Sequence, residues 1–358
     1  MMRITALIMA GGHGERFWPM SRTKLPKQFL ALTDPVKTML QLTVERIAPL
    51  VAIENVYIAT SEAYKEIVEE QLPNLPRSNI LCEPIGRSTA PCIGLGAVHV
   101  LKKYGDDTLM AVLPSDHLIQ DSDSYLDVLK RACDFAQHGS KLITIGIQPD
   151  RPETGYGYIQ YQKNDHGDQP YLVERFVEKP DLETAKKYLA SGGFLWNSGM
   201  FIWKASTLLE NIRQFLPDMY AGLVRIQASI DTQDEAAVLD MIYRGFQTIS
   251  IDYGIMEKAD CIWVFPGDFG WDDVGSWQAI YRLAQKDAEE NALQGNVITA
   301  NTRHSLIRGS KKMIAVVGLE DLIVIDTEDV LLICNGKNTE EIKTVLEKLR
   351  EKGNMTPL

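Results

Sequence analysis

Between Ile4 and Phe29 the chain reads ITALIMAGGHGERFWPMSRTKLPKQF. The apolar run Ile4, Ala6, Leu7, Ile8, Met9, Ala10 predicts a first strand buried on both faces. Such strands belong to sheets covered by helices on each side. The run breaks at Gly11-Gly12-x-Gly14, and Arg16, Arg22, Lys24 and Lys27 follow closely. Glycines let backbone N–H groups approach an anion, and basic side chains neutralise it. The segment therefore predicts a polyphosphate-holding loop at the carboxyl end of the first strand of an α/β sheet, where open sheets of that class bind ligands.

Two familiar phosphate loops do not fit. A P-loop needs Gly-Lys followed by Ser or Thr, which this segment lacks. A dinucleotide fingerprint needs a third glycine, and Phe17 stands at that place after Gly12 and Gly14.

Strand and helix patterns alternate beyond the loop. A helix is expected near residues 38–48, then a strand at Val56–Thr60. Further strands are expected at Thr108–Leu113 and Leu142–Ile147, and helical patterns near residues 63–71, 90–103 and 124–137 lie between the strands of this series. From about residue 154 longer, partly antiparallel strands are expected, with a helix at Leu182–Ser191, the strand FLWNSGMFIWK, and helices to about Gly245. Residues 250–277 read as strands and loops, and the next helix as ending near Glu289. From Gly295 to Cys334, short β pieces follow too closely for crossover helices, which predicts a small all-β appendage, a short β-helix or barrel. Glu340–Lys352 reads as a charged helix.

The sequence has 358 residues, 48 acidic against 37 basic, and a net charge of −11. That balance argues against nucleic acid or an anionic membrane surface as a partner. No signal peptide or membrane-spanning run is apparent. Five scattered cysteines, Cys82, Cys92, Cys133, Cys261 and Cys334, form no C-x-x-C pair, and a reducing cytoplasm is the expected compartment.

Four further segments place polar residues where apolar runs end. In Glu83-Pro84-x-Gly86-Arg87-Ser88-Thr89-Ala90-Pro91, Ser88 or Thr89 is placed to cap a helix whose N-terminus also faces a ligand. In VLPSDHLI, Asp116 just past a buried strand needs water or a partner, and a hard cation with phosphate oxygens is one candidate. In GWDDVGSW, Asp272 and Asp273 are adjacent, so their side chains are expected to diverge. In ETGYGYI, FVEKP and WNSGMF, Glu, Asn and Lys offer contacts for sugar hydroxyls and a phosphate.

The pattern G-G-x-G-x-R-x-W-P-x-S-R-x-x-x-P-K-Q-F resembles the signature of sugar-nucleotide pyrophosphorylases. Trp18-Pro19, Ser21-Arg22 and Pro26-Lys27-Gln28-Phe29 resemble its mannose-1-phosphate guanylyltransferase branch. The segments around Glu83, Asp116, Glu178, Asn197 and Asp273 resemble other elements of that family, with Ser88 where Asn is usual. The resemblance implies a Rossmann-like, doubly wound mixed sheet of the GT-A-like nucleotidyltransferase type over residues 1–290. A small β-helix-like domain ending in a helix would follow over 291–358. It implies transfer of GMP from GTP to α-D-mannose 1-phosphate, giving GDP-mannose and pyrophosphate. Asp116 and Asp273 would hold Mg²⁺, and these two with Arg16 and Lys27 would be catalytic. Gly11, Gly12, Gly14, Glu15, Arg16, Lys27, Glu83, Gly86, Arg87, Ser88, Thr89, Ser115 and Asp116 would bind the nucleotide. Tyr156, Gly157, Glu178, Lys179 and Asn197 would bind the sugar phosphate. A homodimer is expected. Relatives that carry a further isomerase domain have it beyond the point where this sequence stops, so a single activity is expected. The alternatives are a related transferase of different base or sugar specificity, and a catalytically silent sensor of GDP-mannose; a sensor is expected to have lost loop or metal residues that are present here.

Overall fold

The computed structural model describes residues 3–12, 15–162, 170–177 and 179–353. Its contacts divide into two compact units: Met1–Gly11, Thr43–Ser115 and Ile119–Trp271 in the first, and Gly12–Leu42, Asp116–Leu118 and Asp272–Leu358 in the second. The helices are α1 (Met39–Ile47), α2 (Lys65–Gln71), α3 (Thr89–Tyr104), α4 (Ser122–Ala136), α5 (Leu182–Ser191), α6 (Ala205–Phe215), α7 (Pro217–Ser229), α8 (Glu235–Tyr243), α9 (Trp277–Leu283) and α10 (Ile342–Glu351).

The first unit is built on nine strands: β1 (Ile4–Met9), β2 (Val56–Ser61), β3 (Ile80–Glu83), β4 (Leu109–Pro114), β5 (Leu142–Ile147), β6 (Tyr158–Tyr161), β7 (Tyr171–Val177), β8 (Phe194–Lys204) and β9 (Ile262–Gly267). They form one sheet in the order β3-β2-β1-β4-β8-β5-β9-β7-β6, with β8 also pairing with β6. β1 runs parallel to both neighbours, with Ile8 opposite Ile58 and Leu113. β8 runs antiparallel to β4 and β5, so the sheet is mixed.

The apolar runs read from sequence become these strands because their residues are buried on both faces; Leu7 and Ile8 are wholly inaccessible. α3, α6 and α7 pack through Val98, Ile212 and Leu223 into the core that contains Leu7, Met110 and Phe201. α3 starts at residue 89, but Ser88 does not cap it. Ser88 occupies the N-cap position at φ +67° with no side-chain capping bond. Thr89 Oγ1 instead accepts the Ile251 N–H at 2.8 Å, so its hydroxyl is used to hold another segment.

Two further expectations are corrected. The segment after β8 and its helices contains a π-helical turn at Asp252–Met256 with Ile255 and Met256 buried, where strands and loops were expected. α9 stops at Leu283, six residues short of Glu289. Asp287 explains the stop: its Oδ1 accepts the N–H groups of Glu289 at 3.1 Å and Asn291 at 2.7 Å, in place of a helical ladder.

In the second unit the β pieces are β10 (Ala292–Gln294), β11 (Val297–Ala300), β12 (Leu306–Arg308), β13 (Ile314–Val317), β14 (Leu322–Asp326) and β15 (Leu331–Asn335). β10, β12 and β14 stack in parallel, as do β11 and β13, and β15 adds antiparallel to β14. This is a short β-helix with Ile307, Val316 and Val324 inside. A second cluster joins Phe17, Trp18, Leu30 and Met39 to Trp277, Ile280, Ile323, Ile325, Ile342 and Leu346. Among the described residues, no helix is long and apolar enough to cross a membrane.

Gly96 lies where α3 crosses β1, and a Cβ there would collide with the Leu7 side chain. Gly96→Ala should cost about 1–3 kcal/mol by overpacking, read as a lower urea midpoint with unchanged slope. An unaltered midpoint would mean that the helix and strand are not packed this closely.

Candidate functional site

Within the second unit, Gly12, Glu15, Arg16, Phe17, Lys27, Gln28, Asp116, His117, Asp273, Gly275 and Lys343 line a cavity of about 460 Å³. Aromatic packing positions its basic wall. Glu15–Phe17 forms one 3-10 turn. Phe17 is fully buried edge-on against Trp277, with ring centroids 5.1 Å apart, and Trp277 Nε1–H donates to the Trp18 carbonyl at 3.0 Å. With Phe17 and Trp18 fixed, Arg16 between loop and core stays exposed at the cavity.

Pro26 leads into a second 3-10 turn, Lys27–Phe29, whose three residues are all buried. Lys27 is 7% exposed. Its ammonium lies 2.9 Å from Asp116 Oδ2 and donates to the Asp273 carbonyl. A buried ammonium is tolerable only with such partners. Burial pushes the Asp116 carboxyl up, but Lys27 and then His117 outweigh it and hold it below its ordinary 3.8. Gln28 Nε2–H donates to the Gly12 carbonyl at 3.1 Å, tying the glycine loop to the same turn.

Asp272 and Asp273 diverge. Asp272 is buried, accepts the Arg282 guanidinium, and its Oδ1 accepts the Val274 N–H at 2.9 Å. That bond holds Val274 at φ +48°, an unusual conformation for a β-branched residue. Asp273 lines the cavity instead, and a Cβ on Gly275 would sit 3.1 Å from its Oδ2, so glycine leaves room for the carboxylate. Asp116 and Asp273 thus supply two hard oxygen donors to one cavity. Among the described residues, no group of three or more His, Cys, Asp or Glu gathers at metal-binding distance.

The first unit holds the other predicted residues that are described. Ser115 is buried at the end of β4, its N–H donating to the Met9 carbonyl at 3.1 Å. Glu83, at the end of β3, is buried and accepts the Tyr243 hydroxyl proton. A Cβ on Gly11 would lie 3.2 Å from its Oε2, so Glu83 sits close beneath the first loop glycine. Burial pushes the Glu83 carboxyl above its ordinary 4.5, against the pull of hydrogen bonds from Tyr243 and Cys92. Nothing crowds the place a Cβ would take on Gly86. Arg87 donates to the Arg244 carbonyl and, at 3.3 Å, to Thr248 Oγ1.

Asn197 and Gly157 are brought together: Asn197 N–H donates to the Gly157 carbonyl at 2.8 Å. The Asn197 amide also donates to Asp252 Oδ1 at 2.8 Å and accepts the Gly199 N–H at 3.1 Å. Asp252, on the π-helical turn, was not expected from sequence. Tyr156 is buried edge-on to Trp196 and Trp271. Lys179 is exposed just past β7. Gly14 and Glu178 lie outside the described residues.

Sequence reading gave no role to Gln28, His117, Gly275 or Lys343. The first three lie inside quoted motifs. Lys343 carried no signal beyond the amphipathic spacing of Ile342, Leu346 and Leu349 around it.

Residues 5–290 match the family model described as nucleotidyl transferase, and residues 295–349 the model described as the MannoseP isomerase/GMP-like beta-helix domain. The mannose-1-phosphate guanylyltransferase of Salmonella montevideo is 39% identical over 355 residues, 97% of this chain and 74% of that protein. The chain belongs to the mannose-1-phosphate guanylyltransferase family. A member from Escherichia coli is 40% identical, over 96% of this chain and 74% of that one. A crystal structure from Thermus thermophilus, described as a mannose-1-phosphate geranyltransferase, matches with a TM-score of 0.88. It is 35% identical and covers 98% of this chain and 100% of its own. The family match confirms the nucleotidyltransferase fold with a C-terminal β-helix-like domain.

The raised Glu83 carboxyl makes stability depend on pH. Above its ordinary 4.5 and below its folded value, the folded state holds a proton that the unfolded chain has lost. Stability from this group therefore falls as pH rises through that window. Glu83→Gln should flatten the fall, read as urea-unfolding free energies at several pH values. A wild-type and a variant profile of equal slope would contradict a raised Glu83.

Proposed function

We propose that this chain transfers GMP from GTP to α-D-mannose 1-phosphate, releasing GDP-mannose and pyrophosphate. The observation that carries the reading is the second-unit cavity, where Arg16 and the Lys27–Asp116–Asp273 constellation converge. The names of the guanylyltransferase relatives supply the substrates.

The proposed chemistry is an in-line displacement. An oxygen of the sugar 1-phosphate attacks the α-phosphorus of GTP, the bond from that phosphorus to the bridging oxygen breaks, and pyrophosphate leaves. The attacking oxygen is already ionised at neutral pH, so no protein base is required, and catalysis rests on positioning and charge stabilisation. Gly11, Gly12 and Gly14 give backbone approach to the phosphates. Lys27, held rigid by two partners, presents a fixed positive charge, and Arg16 stabilises the departing pyrophosphate. Asp116 and Asp273 offer the hard oxygens that suit Mg²⁺, which when bound would screen repulsion between the anionic substrates. In the first unit, the segment Glu83 to Thr89 is assigned to the nucleotide. Tyr156, Gly157, Glu178, Lys179 and Asn197 are assigned to the sugar phosphate, with Asp252 fixing the Asn197 amide. The free thiols agree with a cytoplasmic setting.

Arg16 is exposed, so Arg16→Ala should leave the unfolding midpoint unchanged while turnover falls about a hundredfold or more. The assay is pyrophosphate release from GTP and mannose 1-phosphate with Mg²⁺, beside ATP, UTP, dTTP and glucose 1-phosphate. Release should be confined to the first pair and abolished by EDTA. Release with another pair would move the specificity, and binding of GDP-mannose without any release would favour a silent sensor.

We also propose that the chain forms a homodimer through β15. This strand ends its sheet and exposes Leu331 and Ile333 on one side, and an exposed apolar edge strand is a pairing template. Light scattering should give a dimer for the wild type and a monomer for Leu331→Glu/Ile333→Glu. A wild-type monomer, or a dimeric variant, would remove this surface from consideration.

A further inference from the structure

The cavity holds three Lys or Arg side chains, and they are not equivalent. Lys27 is committed to Asp116 and to the Asp273 carbonyl. Glu15, one of the cavity's three acids, is engaged by Arg350. Among the described residues, the side chains of Arg16 and Lys343 have no hydrogen-bonding or ion-pair partner. Two cations that face one cavity with no bonded partner repel one another, and an anion between them relieves that repulsion.

Lys343 is held in place by its neighbours. Ile342 and Leu346 are buried in the cluster of Phe17, Trp18 and Trp277, and Leu349 packs against the same cluster. The apolar face of α10 therefore points to the core that also anchors the Arg16 turn. The Lys343 position, one residue on and roughly 100° around the helix, is turned to the cavity. Lys343 lies within the segment matched by the β-helix model, not the nucleotidyl transferase model.

We propose that Lys343 is a second pyrophosphate-binding cation, paired with Arg16. In the nucleoside triphosphate the two grip the β- and γ-phosphates, and after the reaction they hold the leaving pyrophosphate. One monovalent guanidinium cannot neutralise a diphosphate, and two separated cations match its two charged ends. The inference rests on the proposed transferase reaction and adds the β-helix segment to its phosphate site.

The test is equilibrium binding by titration calorimetry, with GTP, inorganic pyrophosphate and GDP-mannose as probes, on wild type, Lys343→Gln and Lys343→Arg. Loss of one charge-assisted contact should weaken GTP and pyrophosphate about tenfold or more in Lys343→Gln. GDP-mannose, which lacks the leaving phosphates, should bind all three proteins alike, and Lys343→Arg should keep most of the GTP affinity. Equal GTP and pyrophosphate affinities in wild type and Lys343→Gln would overturn the proposal. Weakening of all three ligands together would overturn it too, because it would mark a structural role. A wild type that binds none of the probes would instead defeat the transferase reading itself.

Discussion

The second unit depends on the burial of one ammonium group. Lys27 is almost wholly inaccessible, and leaving it unpaired would cost several kcal/mol. Its partners come from elsewhere in the chain: a carboxylate at Asp116 and a carbonyl at Asp273. Satisfying one side chain thus knots together the three separate stretches that make up this unit. Around the knot, Phe17, Trp18 and Trp277 exclude water and keep the Arg16 turn rigid. A phosphate-binding group works best when it is fixed before the ligand arrives, because no reorganisation is then needed.

The same logic of partnered polar groups recurs in the first unit with a different sign. Glu83 is a buried carboxylate satisfied by hydroxyl and thiol donors, with no cation among them. Its carboxyl is therefore pushed up where that of Asp116 is held down. Asn197 is fixed by Asp252 on a π-helical turn, a backbone form that recurs at functional sites. Strand ends carry these groups: Glu83 closes β3, and Ser115 follows β4.

Division of labour between neighbours is the other recurring device. Asp272 turns inward to Arg282 and to the Val274 amide, and Asp273 turns outward to the cavity. Ile342 anchors α10 to the core, while Lys343 faces the cavity. In both cases a buried residue specifies the direction of the exposed one beside it. The β-helix, which buries a small core of its own, serves in addition as the base that carries α10.

The alternation of apolar runs and amphipathic segments was enough to place nearly every strand and helix, because burial on two faces or one leaves a periodic mark in the sequence. The glycine loop and its basic residues stand out for the same local reason, as a break and a cluster in the pattern, whereas the pairing of Asp116 with Asp273 came only from the family resemblance. Helix ends were less legible. The halt at Leu283 depends on Asp287 bonding its own backbone, and the bare N-cap at Ser88 on Thr89 being drawn to Ile251. What only the tertiary structure decided is partnership across distance. Nothing near Lys27 in sequence shows that Asp116 and Asp273 will enclose it, that Tyr243 will cover Glu83, or that a lysine of the last helix will line the cavity. Those choices depend on which surfaces meet when the chain buries its apolar residues, and local sequence carries no record of that.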